Sequence, residues 1–209
     1  MQNDIVKRLL VLIVILLIGG GVSYAGGQGG ATVNGMSVFL ICGAWAFLVN
    51  WLVFIPSNYA QTEKYYDLTG SLTYLSVIGL ALYLTPELST RAKIAGAMAA
   101  IWALRLGTFL FKRISQDGHD DRFDEIKINP SRFFIVWTIQ GLWAIVTAAC
   151  ALAIITGANQ AEIGPIGYLG IAVWLIGFII EVIADSQKRA FRKNPDNQGK
   201  FINLSLIHI

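Results

Sequence analysis

The chain has 209 residues, of which 55% are hydrophobic and only 14% charged, and its formal net charge is +3. Soluble domains carry roughly 25% charged residues, so this composition excludes an ordinary soluble globular domain and points to an integral membrane protein. The positive balance is no sign of nucleic-acid binding, because the basic residues sit at the edges of apolar runs with no groove-reading element near them.

Six apolar runs follow one another: about Leu9 to Ala25, Ser37 to Pro56, Leu68 to Thr85, Ile94 to Phe111, Phe133 to Gly157 and Ile166 to Ala184. Each is roughly 17 to 25 residues long, enough to cross a hydrocarbon core of about 30 Å as a helix. Alternation at period two is absent, which argues against a barrel. The expected fold is therefore all-α, a polytopic membrane bundle of about six spans forming a single domain over residues 1–203. The first run lies between Lys7-Arg8 and Ser23-Tyr24-Ala25, so it reads either as a span or as a cleaved signal segment. Both readings put the Gly-rich stretch Gly26 to Gly35 on the outer side. With the N-terminus in the cytoplasm, Arg91 and Lys93 face outward, Arg105 lies inside a span, and every other Lys and Arg falls on the cytoplasmic side. Cys42 and Cys150 sit within apolar runs without paired ligands and read as small core residues; no zinc or other metal spacing occurs.

Before the third span comes Glu63-Lys-Tyr-Tyr66-Asp67-Leu-Thr-Gly-Ser71. A tyrosine beside a carboxylate can pass a proton to a carbonyl or enolate, which makes Tyr66 and Asp67 catalytic candidates. The same residues also suit an interfacial aromatic belt with Asp67 as a helix N-cap. The longest hydrophilic segment, Lys112 to Lys127, contains Asp120-Asp121-Arg122-Phe123, and its interleaved acids and arginines predict a structured loop. His119 within it suits a general acid, a metal ligand or plain solvation. Running out of the sixth run, Glu181, Asp185 and Arg189 recur every four residues and so share one helix face, with Arg192 one turn on. Guanidinium forks suit phosphate oxygens, and an acidic neighbour can orient them or take a ribose hydroxyl. Arg113 belongs to this basic set, and Arg105, Asp121, Arg122, Glu181, Asp185, Arg189 and Arg192 are thus cofactor-binding candidates, although interhelical ion pairs would use the same residues. Gly-rich dinucleotide and phosphate loops and the Gly-x-Ser-x-Gly elbow are missing.

The closing Leu204 to Ile209 reads as the translation of a ligated sequencing adapter, so a native frame truncated near Asn203 is expected.

Taken together, Glu-x-x-Tyr-Asp-Leu-Thr-Gly-Ser from Glu63, Arg-Leu-Gly-Thr-Phe-Leu from Arg105, Asp-Asp-Arg-Phe from Asp120 and the segment Asp185 to Gly199 resemble bacterial membrane proteins of unknown function. That group is related to the steroid 5-alpha-reductase C-terminal family and to the isoprenylcysteine carboxyl methyltransferases. The resemblance implies a multi-span enzyme of the bacterial inner membrane that binds NADPH on its cytoplasmic side. Its reaction would be hydride delivery to the conjugated double bond of a lipophilic enone drawn from the bilayer. The clearest cofactor matches are Asp185 and Arg192; Arg105 and Arg122 correspond to phosphate-side arginines, and Glu181 stands where the steroid enzymes carry an amide. Tyr66 and Asp67 are the nearest analogues of the groups that polarise the carbonyl. The family's further Ser-Arg-His-Pro-Asn-Tyr-Phe-Gly-Glu type motif is not met before Asn203. Two other readings stay open: an S-adenosylmethionine-dependent methyltransferase of a lipid or prenyl thiol on the same fold, and a non-enzymatic membrane bundle or transporter. The sequence sets no oligomeric state.

Overall fold

The computed structural model describes residues 2–118, 120–197, 200 and 202. His119 and the adapter-like segment Leu204 to Ile209 lie outside the described residues. The chain divides into two compact units, Met1–Glu162 and Ile163–Ile209.

The first unit opens with α1 (Gln2–Gly26), followed by a hairpin of β1 (Thr32–Val33) and β2 (Met36–Ser37). Asn34 and Gly35 form its turn at φ of 51° and 80°, the left-handed pair that a two-residue hairpin requires. Helix α2 (Val38–Tyr59) starts where Ser37 accepts the Leu40 N–H at 3.1 Å. Helices α3 (Tyr66–Leu84) and α4 (Thr90–Asp117) come next; Ser89 caps the start of α4, and Gly118 at φ 83° ends it. A single 3-10 turn (Asp121–Phe123) and the short α5 (Asp124–Lys127) lead to α6 (Pro130–Thr156), which begins with Asn129 as cap and proline in its first turn. The second unit is α7 (Pro165–Lys193) and a 3-10 turn at Pro195–Asn197. Its last turn is closed by Asn197, whose side-chain amide donates to the Phe191 carbonyl at 3.0 Å.

Six of these helices are long and apolar enough to cross a membrane, and the protein is an all-helical polytopic membrane bundle. Helix α4 outruns its apolar core because a terminal turn that reaches the interface can carry Lys112 and Arg113 without burying their charge. Within the first unit α2 and α3 pack on α6, α4 on α3 and α6, and α1 along α6 and α2. The buried centre is Val38, Phe39, Cys42, Val77, Ile78, Ile145 and Leu152. Membrane helices approach closely where small residues meet. Gly141 does so here, where an added Cβ would stand 2.9 Å from Phe47 and 3.3 Å from the Ala46 carbonyl. Fully buried Asn50 joins α2 to α3 through Thr73 Oγ1 at 3.1 Å.

Both ends of α1 are tied to the ends of α6. Near its start Arg8 donates to Asn129 Oδ1 at 2.8 Å and to Ser131. Beyond its other end the Ala31 N–H donates to the Thr156 carbonyl at 2.7 Å, beside a bridge between Gly30 and Gly157.

Candidate functional site

The head of α3, the tail of α4 and the connector to α6 meet in one polar cluster. Asp67 sits in the first turn of α3, past Tyr65, which holds the cap position without a side-chain bond. The N-cap role for Asp67 is thus not used; its carboxylate reaches sideways instead and takes Arg113 at 2.9 Å. Arg113 also faces Asp120 at 3.8 Å. Asp120 in turn holds the Arg122 guanidinium through both carboxylate oxygens and caps the 3-10 turn through the Arg122 N–H. The Arg122 fork, outweighing burial, holds the Asp120 carboxyl below the usual range.

Glu63 fastens the same connector from the other side. It is buried at 6% exposure, accepts the Asp120 N–H at 3.1 Å, and takes Lys127 Nζ at 2.9 Å. Burial pushes this carboxyl up, but the Lys127 ammonium and the backbone donors outweigh it and hold it below the ordinary value. Lys127 also meets Asp124 at 3.3 Å. The structured loop expected from Asp120 to Phe123 is therefore present, and its aromatic member explains its seat. Phe123 is buried and packs on Tyr66 with ring centroids 5.0 Å apart, while Tyr66 meets Trp137 edge-on at 5.2 Å.

Beside this cluster lies a cavity of about 220 Å³ between α3, α4 and α6. Asp67 lines it near the head of α3, and Tyr74, two turns further along the same face, lines it roughly 10 Å deeper. Its remaining wall is mostly apolar: Trp102, Leu106 and Leu110 from α4 and Trp143 from α6. Gln140, also in the wall, donates Nε2 to the Tyr66 carbonyl at 2.9 Å, and Gly70 leaves it room, since a Cβ there would stand 2.6 Å from that nitrogen. Ser71 donates to the Ala103 carbonyl at 2.6 Å and draws α3 against α4.

The candidates from the sequence fall as follows. Asp67 lines the cavity, whereas the Tyr66 hydroxyl donates to the Val136 carbonyl at 3.2 Å. Arg105 lies midway along α4 with its guanidinium 5.4 Å from the Phe109 ring centre. Asp121 is exposed at the start of the 3-10 turn, and Arg122 keeps 68% of its side chain exposed. Glu181, Asp185 and Arg189 do share one face of α7, each partly shielded and none without a partner, and Arg192 is exposed. These four belong to the second unit. Arg113, one of the arginines expected to suit phosphate, is bonded to Asp67 instead. Residues not singled out from sequence are Gln140 and the Glu63–Lys127 pair. Gln140 was visible in principle as an amide inside an otherwise apolar span; the Glu63–Lys127 pairing spans 64 positions and has no local pattern.

The family described as a protein of unknown function, DUF1295, matches residues 53–208. That match covers well over half of the chain, and the chain belongs to this family. No curated protein and no solved structure matches it.

Proposed function

We propose that this member of the DUF1295 family is a membrane-embedded oxidoreductase that uses NADPH to reduce the conjugated double bond of a lipophilic enone. The observation that carries this reading is the apolar cavity between α3, α4 and α6 with Asp67 at its polar end, bonded in turn to Arg113 outside the lining. Such a cavity holds a hydrophobic body away from water, and an aligned cation offsets the charge that builds on a carbonyl oxygen during reduction. Arg113 would do this by turning from Asp67 toward the cavity. Tyr66 would have to leave the Val136 carbonyl to act as a proton donor, so in this reading it seats the connector while Asp67 and Arg113 make the polar contact.

The chemistry of the basic residues fits a phosphate-bearing cofactor. Arg122 presents a largely exposed fork already oriented by Asp120, and Arg192 is exposed on the last turn of α7. Each unit by itself carries groups of this chemistry: Arg105 and Arg122 on the first, Arg189 and Arg192 on the second suit phosphate oxygens, and Asp121 on the first, Asp185 and Glu181 on the second suit hydroxyl or amide groups. NADPH, when bound, supplies a hydride. Arg192→Ala in the full-length protein is expected to weaken NADPH binding roughly tenfold, the loss of one hydrogen bond to a charged group, with little change in thermal stability. Calorimetric titration checks both; unchanged NADPH affinity with lost stability, or tight binding of S-adenosylmethionine in its place, overturns the reading.

We place the protein in a bacterial inner membrane with the α4–α6 connector in the cytoplasm. The asymmetry of Lys and Arg supports that orientation. In a background without Cys42 and Cys150, Gln28→Cys is expected to react with an impermeant maleimide added to intact cells and Ser115→Cys only after lysis. The reverse pattern refutes the orientation.

A further inference from the structure

The cavity between α3, α4 and α6 has a marked chemical asymmetry. Its deeper part is aromatic and aliphatic, with Tyr74 and Trp102 edge-on at 5.1 Å and Trp143 on the α6 side. Its polar end, by the first turn of α3, presents Asp67. One carboxylate oxygen, Oδ2, is held by Arg113, and the side chain stays 20% exposed. A carboxylate has about four acceptor positions, and Arg113 takes only the Oδ2 side. Two neighbouring donors are committed elsewhere, the Ser71 hydroxyl to Ala103 and one Gln140 amide N–H to Tyr66; Gln140 Oε1 is a second acceptor in the wall, but an uncharged and so weaker one.

Charge decides which kind of donor suits this place. Asp67 and Asp120 are matched by Arg113 and Arg122 in a single connected cluster, so its charge balances and a cationic head gains little there. A neutral hydroxyl gains a bond to a charged acceptor without adding charge to an apolar pocket. The position suits it too, because the first turn of a membrane-length helix lies near the interface, where an amphipathic molecule keeps its polar end.

We infer that the ligand of this cavity is a lipophilic alcohol that donates its hydroxyl to Asp67 Oδ1 while its ring-bearing body lies against Trp102, Leu106 and Trp143. The inference rests on the reading of this cavity as the substrate site, and it narrows the substrate class to lipophilic enones that also carry a hydroxyl group.

The test compares 2-decalol with its methyl ether, in which a methyl group replaces the hydroxyl proton and the donor is lost. Binding to the 209-residue chain in lipid nanodiscs is followed by tryptophan fluorescence, with protein-free nanodiscs as baseline and no NADPH present. The alcohol is expected to bind at least about tenfold tighter than the ether, as befits one hydrogen bond to a charged group. Asp67→Leu is expected to erase that preference, and Leu106→Trp, which fills the cavity, to abolish binding of both probes. Equal affinity of the two probes for the unaltered chain overturns the inference, even if the Asp67 variant fails to fold. So does a preference that survives Asp67→Leu, or binding that survives Leu106→Trp. Enone-dependent oxidation of NADPH without any alcohol preference would sink this inference alone. An alcohol preference in a protein that never binds NADPH would sink the reductase reading and leave the ligand class standing.

Discussion

Gly107→Leu is expected to lower stability by more than about 3 kcal/mol and to destroy the cavity. The reason is the contact that Gly107 makes possible between α3 and α4. A Cβ at that position falls inside the van der Waals envelope of both Ser71 Oγ and Ser71 Cβ, and both residues are buried in packed helices whose backbones cannot yield by a rotamer change. Overpacking costs about 1 to 3 kcal/mol for small excesses; a leucine must push the helices apart and break the hydroxyl bond from Ser71 to Ala103. Gly107→Ala is the milder case, in which a better helix propensity returns about 1 kcal/mol. Paired variants separate the causes. Ser71→Gly should rescue Gly107→Ala, whereas Ser71→Ala, which keeps the clashing Cβ, should not. Unfolding in mixed micelles measures each; equal rescue by both would show that the hydroxyl alone sets the spacing.

Glu63→Ala is expected to cost about 2 kcal/mol, because it strands the Asp120 N–H and leaves Lys127 with Asp124 as its remaining partner. Glu63→Gln keeps an acceptor for Asp120 and should cost less. The same carboxyl sets a pH dependence. Its folded value lies below the ordinary 4.5, so its contribution is complete above that pH and is lost as the pH falls through the folded value. Asp120, also held low by Arg122, changes in the same direction. Protection from hydrogen exchange across residues 120–128, taken relative to the intrinsic rate at each pH, should therefore fall below about pH 4.5 in the parent protein and fall less in Glu63→Ala, where the connector is already loosened. Protection indifferent to pH in both would show that these carboxylates do not hold the connector.

The apolar runs made the six spans readable because a bilayer demands about twenty apolar residues per crossing, and every expected run is a helix here. Their ends were less readable at α4, which continues through polar turns that hydropathy assigns to a loop, whereas the four-residue spacing of Glu181, Asp185 and Arg189 already carried α7 on. The hairpin in the Gly-rich stretch had its signature in Asn34-Gly35, hidden by the glycines around it. At the site, Asp67 and the Asp120 to Phe123 segment stood out locally. Arg113 read as one of several arginines suited to phosphate, and its partner Asp67, 46 positions away, has no local signature. Tyr66 shows the converse: its neighbour Asp67 suggested acid chemistry, but helical geometry sends adjacent side chains in different directions, one to Arg113 and the other to Val136.

The ties at the two ends of α1 have a mechanical consequence. A rod bolted to its neighbour at one point can pivot or slide; bolted at two points roughly 40 Å apart, the rise of the helix from Asn129 to Thr156 at about 1.5 Å per residue, it is hindered in both. Arg8 on Asn129 and Ala31 on Thr156 make α1 and α6 a rigid frame. Helix α4 is clamped to the same end of α6: the Ser89 N–H donates to Gln160 Oε1 at 2.9 Å and Arg91 to the Asn159 carbonyl at 2.6 Å, just past Thr156. Three helices are thus gathered at one end of the first unit, and distance measurements between spin labels should show α1 and α6 keeping step when a ligand enters the cavity.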